Sequence, residues 1–442
     1  MSTNTEKSTG ILHWLDENFE NIFLVSGLLA IIFFITWQVI YRYFITPLVE
    51  RAGAAVWTEE ISRYIFIWIS YIAVSVAIRK RSSIRIDFVY QMLPPRLQRI
   101  SWIFVELIFL MLTLTITYYG WGQIERLQRF PQHTAAMRIP FLIPYLILPL
   151  GFGLMSLRLV QSMIKQIKVT GVLDSLIGAV VAVAVMSPCV LAEYIDPVPA
   201  LFGYFLIFCV TGVPIAIGLG MSALTTILCA DTLPIEYLAQ VSFTSLDSFP
   251  TMAIPFFIAA GVFMGAGGLS QRLLGLADEL VGGMYGGMAL TTVATCMFFG
   301  AISGSGPATV AAIGALTIPA MEERGYSKTF AAAIVAAAGA IGVMIPPSNP
   351  FVVYGIAAQV SIGDLFIGGI VPGVLTGAVL MGYSYYAARK NNWRGSTRTR
   401  TVGTVTRAVW DAKWALLVPV IVLGGIYGGL MTPPEAAAVA SF

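Results

Sequence analysis

Charge is scarce in this 442-residue chain: Asp, Glu, Lys and Arg together supply 11% of it, where a soluble domain carries about 25%. So few charges cannot cover a globule of this size with polar groups, which excludes a soluble enzyme and a disordered chain. The same scarcity excludes a nucleic-acid-binding module; the net charge of +3 is small, so what matters is where the charges sit. Cysteine is nearly absent too. Cys189, Cys209, Cys229 and Cys296 lie in or beside apolar segments and form no CxxC pair, so neither a disulfide framework nor a thiolate metal site is expected. His13 and His133 stand alone, which removes a histidine-centred catalytic or metal site. There is no nucleophile with a neighbouring base and no pair of intramembrane acids. The segment Ile302–Pro307 has glycines but no lysine, so it is no phosphate-binding loop. No cleavable leader is evident: residues 1–20 are polar and mixed in charge, and the apolar run after them is too long for a signal peptide.

What the chain has in abundance is apolar sequence, 57% of all residues. Apolar runs fall near 21–46, 61–78, 101–119, 139–160, 172–192, 198–230, 250–268, 287–320, 329–357, 364–387 and 414–431. Runs of about 20 residues span a bilayer, and only helices satisfy their backbone there. The fold class is therefore an all-α polytopic membrane protein. Basic residues concentrate in 79–100 and 388–413, whereas 47–60 and 193–196 are acidic. By the positive-inside rule the N-terminus is cytoplasmic, and Arg158, Lys165 and Lys168 after the fourth run agree. Only Arg126, Arg129 and Arg138 in 120–138 run against this pattern, because that loop must be external.

Composition divides the chain. Residues 1–168 read as a four-helix module, 169–195 as a connecting transmembrane helix, 196–387 as the first repeat of a larger module, 388–413 as a basic cytoplasmic linker and 414–442 as the start of a second repeat. The run at 198–230 breaks at Gly212-Val213-Pro214, and the last run ends at Gly428-Gly429 before Pro433-Pro434. Similar helix-then-Gly/Pro units entering from opposite faces suggest an inverted repeat. The second repeat stops soon after it begins, so the sequence reads as truncated.

Two segments carry the chemistry. Phe299–Val310 places Ser303, Gly304, Ser305, Gly306 and Pro307 inside an apolar run, and such a cluster does not hold a continuous helix. With flanks too short to cross individually, it reads as a re-entrant hairpin whose tip lies at membrane depth. A broken tip offers carbonyls to a cation and helix N-termini to an anion, and Ser303, Ser305 and Thr309 add hydroxyls. The second segment, Gly339–Pro350, holds Gly339, Gly342, Pro346, Pro347, Ser348 and Asn349. Two discontinuities in one module point to a transporter binding site. In the first module, Trp57, Glu59, Glu60, Arg63 and Trp68 cluster at a membrane end. Glu59 and Arg63 are spaced i,i+4, and Glu60 and Arg63 i,i+3, so they can pair on one helix face. Arg79, Arg81 and Asp87 read as topology anchors.

These residues resemble a known family. Trp57-Thr58-Glu59-Glu60-Ile61-Ser62-Arg63, with Trp68, Arg79, Arg81, Ile86 and Asp87, is similar to the small membrane subunit of tripartite ATP-independent periplasmic (TRAP) transporters. Ser245–Pro250, Ile254–Phe257, Ser303-Gly304-Ser305, Ile318–Met321, Gly325-Tyr326 and Ile345–Ser348 resemble the large subunit. The two look fused through 172–192, as in the sialic-acid branch. The resemblance implies an inverted-repeat, elevator-type symporter in the bacterial inner membrane. It would import an organic acid such as a C4-dicarboxylate, sugar acid, sialic acid or 2-oxo acid, delivered by a periplasmic substrate-binding protein and driven by Na⁺. By position in the motifs, Ser303, Gly304, Ser305, Gly339, Gly342 and Pro346 would hold the first Na⁺. Thr309, Ser348 and Asn349 would meet the substrate. Trp57, Glu60, Arg63, Arg79 and Asp87 would serve structure and assembly among membrane lipid. A second Na⁺ site would belong to a hairpin of repeat two, beyond residue 442. Many large subunits carry Ala-Asp after the tip where this chain has Gly306-Pro307-Ala308-Thr309, so coordination here would rest on carbonyls and hydroxyls. The nearest rival is a Na⁺/dicarboxylate carrier that needs no binding protein; the four-helix module argues against it. A channel would spread polar residues along pore helices, and a mere scaffold leaves the two breaks unexplained.

Overall fold

A computed structural model describes residues 11–46, 48, 55–191, 195–230, 233–396 and 400–441. Among these residues there is no strand; an isolated bridge joins His133 to Pro140. Six of the described helices are long and apolar enough to cross a membrane, or up to seven if a bent pair counts as one span. By internal contacts the chain forms two compact units: Met1–Ile31 with Val56–Asp247, and Ile32–Ala55 with Ser248–Phe442. Glu193 and Tyr194, which contribute to the acidic stretch, lie outside the described residues.

The first unit is built on Val56–Lys80, Pro95–Arg129, Ile147–Thr170 and Val172–Leu191, followed by Pro197–Val210, Ile215–Ala230 and Glu236–Thr244. Ile67, Phe104, Ile108, Leu148, Phe208 and Phe243 fill its core, and Tyr145 stacks on Phe243 with centroids 3.8 Å apart. The run at 198–230 does break where its Gly and Pro fall: Gly212 takes φ +84°, a left-handed conformation that glycine adopts at little cost. Two expectations are corrected here. Pro95–Arg129 is one helix of 35 residues, about 52 Å long, so it projects beyond a hydrocarbon layer of about 30 Å. Arg126 and Arg129 sit on its last turn, where the C-terminal dipole favours cations, and are not loop residues. Arg158 does not follow a helix; it lies inside Ile147–Thr170 and is 8% exposed.

The second unit takes the end of the helix Ile11–Ile40 and its π-helical continuation Tyr41–Ile45. Arg42 there pairs with Glu435 at 2.8 Å. Glu435 is fully buried, and its Oε2 accepts from the backbone N–H and hydroxyl of Thr432, just before the helix Pro433–Ser441. Ser441 donates to the carbonyl of Phe256. The core gathers Leu273, Val293, Phe299, Ile313, Ile334 and Ile341. The stretch expected as a linker contains structure of its own. Ile362–Lys390 runs on into it, and Val402–Asp411 forms a helix capped by Thr401 and Thr404. That helix meets Lys413–Tyr427 at 64°. Arg400 lies 3.7 Å from Asp278, and the Lys413 ammonium sits over the Trp410 ring.

Candidate functional site

Both helix breaks form as the Gly, Pro and Ser clusters require, and they meet. The helix Gly287–Ser303 ends at Gly304, whose φ of +57° closes it with its N–H on the carbonyl of Gly300. Ser305 is extended and N-caps Gly306–Glu323 by accepting from the N–H of Ala308. The two helices have 17 and 18 residues, longer than their sequence flanks suggest; 17 residues reach about 26 Å. In the second break, Lys328–Gly339 tightens into the 3₁₀ turn Ala340–Val343. The chain then passes Pro346-Pro347, a cis bond, and enters Asn349–Ala358.

The contacts between the breaks are backbone contacts. The N–H of Asn349 donates to the carbonyl of Gly304 at 3.2 Å. A Cβ on Gly304 would stand 2.8 Å from the Pro347 carbonyl oxygen. A Cβ on Gly342 would stand 2.7 Å from Thr309 Oγ1. Glycine at these points is what lets one break approach the other.

Oxygen atoms collect at this junction. Ser303 Oγ lies 3.1 Å from Thr309 Oγ1, and Thr309 donates to the carbonyl of Ser305 at 2.8 Å. Ser348 Oγ donates to the carbonyl of Val343 at 2.6 Å, so no side chain caps the N-terminus of Asn349–Ala358. Asn349 Oδ1 is buried without a hydrogen-bond partner. Ser303, Thr309 and Ser348 are all buried. The arrangement therefore offers a set of hard oxygen donors, one of them uncommitted, beside two helix N-termini. Hard oxygens suit a hard cation, and helix N-termini suit an anion. Among the described residues no cluster of His, Cys, Asp and Glu could hold a metal ion. The structure brings Ser303, Gly304, Ser305, Thr309, Gly342, Ser348 and Asn349 together; Gly339 and Pro346 are buried parts of the second break. Thr309, named from sequence for the substrate, is locked into the oxygen cluster with Ser303.

The residues expected to serve assembly lie in the first unit. Glu60 does not pair with Arg63. It is buried and accepts from the backbone N–H groups of Ala136 and Met137, at 3.1 and 2.6 Å, and from the Tyr64 hydroxyl. Arg63 instead pairs with Asp247 at 3.2 Å and more loosely with Glu59. Burial pushes the Asp247 carboxyl above the usual carboxylate range; Arg63 pulls it back, and Glu60 adds to the rise. Trp57 is exposed on the first turn of Val56–Lys80, which suits a membrane-interface aromatic. Asp87 opens a short helix, and its side chain lies outside the described residues.

Arg79 is more than a topology anchor. It reaches the buried carboxylate of Glu20 at 3.3 Å, which also takes Arg158 at 3.1 Å and the hydroxyl of Ser75 at 2.8 Å. The signal for this cluster was an arginine within the fourth apolar run and an acid at the edge of the first. Asp174 is likewise held by Arg96 and Arg99.

Because Glu60 accepts two N–H groups of the segment after Arg129, removing its charge is expected to loosen that segment. Glu60→Ala is expected to cut the yield of folded protein several-fold and to leave the Na⁺ dependence of any activity unchanged. Detergent-extracted yield and a Na⁺ titration check it; a normal yield with an altered Na⁺ dependence would contradict the assignment.

Two family profiles match successive parts of the chain. The profile of the tripartite ATP-independent periplasmic transporter DctQ component matches residues 31–169, and that of the DctM component matches residues 202–442. The isethionate TRAP transporter permease protein DctMQ of Oleidesulfovibrio alaskensis is 63% identical over 441 residues, covering 100% of this chain and 69% of that protein. The C4-dicarboxylate TRAP transporter large permease protein DctM of Vibrio cholerae is 46% identical over 235 residues, 52% of this chain and 51% of that protein. The sialic acid TRAP transporter permease protein SiaT of Haemophilus influenzae is 30% identical over 404 residues, 87% of this chain and 65% of that protein. The chain thus spans between about half and 69% of the length of these relatives. With both component profiles in one chain, several membrane-length helices and relatives named as permeases, this is a multi-pass inner-membrane protein of the TRAP transporter family, a fused small and large permease and not an enzyme.

Proposed function

We propose that this permease imports a small organic acid handed to it by a periplasmic substrate-binding protein, in symport with Na⁺ and by an elevator motion, with its N-terminus in the cytoplasm. The observation that carries the reading is the junction of the two helix breaks. The oxygen cluster of Ser303, Ser305 and Thr309 would hold Na⁺ with the carbonyls around Gly304, Gly339, Gly342 and Pro346. The N-terminal end of Asn349–Ala358 would draw the substrate's anionic group through its dipole, and the free Oδ1 of Asn349 would accept from a substrate hydroxyl. The 63% identity to an isethionate permease makes a short hydroxyalkanesulfonate the first substrate to try, ahead of C4-dicarboxylates or sialic acid. A sulfonate presents three acceptor oxygens and a negative charge, which suits the positive end of a helix dipole. The match to the DctQ component supports dependence on a binding protein over a stand-alone dicarboxylate carrier.

Ser303→Ala tests this reading. It removes one hydroxyl from the cluster and leaves the backbone intact. The apparent Na⁺ affinity for uptake is expected to fall about tenfold, the loss of roughly 1.4 kcal/mol of a cation contact, with little change in the substrate dependence at saturating Na⁺. An unchanged Na⁺ titration would overturn the placement of Na⁺ at this tip.

A further inference from the structure

Glu106 takes no part in the function proposed above, yet it is an acid within the membrane-length helix Pro95–Arg129 and is 6% exposed. Its Oε1 accepts from the hydroxyl of Ser162. Its Oε2 lies beside the buried indole Nε1 of Trp102, one turn earlier, without closing a hydrogen bond of good geometry. An orphaned acceptor beside an orphaned donor is costly in an apolar medium, and intramembrane ionisable groups mark sites of use. Both residues line a cavity of about 230 Å³ in the first unit. Arg81 and Arg85 line it as well, with their guanidinium groups over the Trp102 ring at 4.6 and 5.3 Å. Arg81 follows directly on the end of the span Val56–Lys80, the level at which lipid headgroups lie. The remaining walls, Ile78 and Phe109 among them, are apolar except for Ser83.

We propose that this cavity binds a zwitterionic aminophospholipid. The phosphate sits against Arg81 and Arg85, the ammonium group donates to Glu106 Oε2, and an acyl chain lies along Ile78 and Phe109. The polar groups discriminate among headgroups. A glycerol headgroup satisfies the arginines but brings no cation to the carboxylate. A choline headgroup brings a cation without an N–H to donate. Only a primary ammonium beside a phosphate meets both the basic pair and the orphaned oxygen, by charge-assisted hydrogen bonds at each end.

The test is native mass spectrometry of the full chain released from nanodiscs containing equal parts of phosphatidylethanolamine, phosphatidylcholine and phosphatidylglycerol. The wild-type protein is expected to retain phosphatidylethanolamine about tenfold over either of the others. Glu106→Gln is expected to remove that preference, and Arg81→Gln to reduce retention of all three. Trp102→Phe keeps an aromatic face beneath the arginines and removes the Nε1 donor together with the pyrrole ring. It is expected to weaken phosphatidylethanolamine retention and gives a readout if Glu106→Gln fails to fold. Equal retention of the three lipids by the wild type, or an unchanged preference in Glu106→Gln and Trp102→Phe alike, would overturn the proposal.

Discussion

Gly304→Ala is expected to abolish uptake, lowering the initial rate by at least about tenfold, while the protein still folds and extracts normally. Two effects add at this residue. Its φ of +57° is a conformation that costs a non-glycine residue roughly 1–3 kcal/mol at a constrained site. A Cβ there would also press on the Pro347 carbonyl oxygen at 2.8 Å and on the Asn349 nitrogen at 3.2 Å. The tip must then withdraw from the second break, and the bond from the Asn349 N–H to the Gly304 carbonyl is lost. Because the strain is confined to the junction, the cores of both units are untouched. Initial uptake rates in proteoliposomes, normalised to protein inserted, check it. A wild-type rate would mean that contact between the breaks is not required for transport.

Glu20→Ala is expected to be the most destabilising single change in the first unit, with a loss of about 3–5 kcal/mol read as a collapse of folded yield. Glu20 is 1% exposed and neutralises Arg158, itself buried, and Arg79. Deleting the acid leaves the buried Arg158 guanidinium without its carboxylate. The double variant Glu20→Met with Arg158→Met separates charge from shape. Replacing a buried pair by apolar groups of similar volume is close to neutral, so the double variant is expected to recover much of the yield that the single one loses. If Glu20→Ala behaves like the wild type in yield and thermal midpoint, the cluster does not hold the module together.

What the sequence announces and what it hides divide along physical lines. The two breaks are legible because Gly and Pro act locally: no continuous helix runs through Ser303–Pro307 or Gly339–Ser348 whatever surrounds them. Gly212-Val213-Pro214 is legible for the same reason. The helices themselves are legible because lipid leaves the backbone no alternative. Charge partners are not local. Glu20 and Arg158 are 138 residues apart, and nothing near either one points to the other. Glu60 and Arg63 have helical spacing suited to a pair, but backbone N–H groups at Ala136 and Met137 satisfy Glu60, leaving Arg63 for Asp247. Glu106 vanishes into an apolar run when the run is judged by its average. The helix Val402–Asp411 is hidden by its charges, because an amphipathic helix beside basic residues reads as a linker when only hydropathy is followed. The family resemblance supplied the names of the site residues, but only the fold could show that Thr309 shares its hydroxyl with Ser303.

The central claim, that the junction of the two breaks couples Na⁺ to organic-acid import from a binding protein, is tested most directly by reconstituted uptake. The permease is placed in proteoliposomes and supplied with the cognate binding protein and labelled isethionate, a C4-dicarboxylate or sialic acid. An inward Na⁺ gradient and an inward proton gradient are imposed separately. Uptake of one of these acids that needs both the binding protein and the Na⁺ gradient is the expected result. Uptake driven equally well by protons alone, or without the binding protein, would contradict the account.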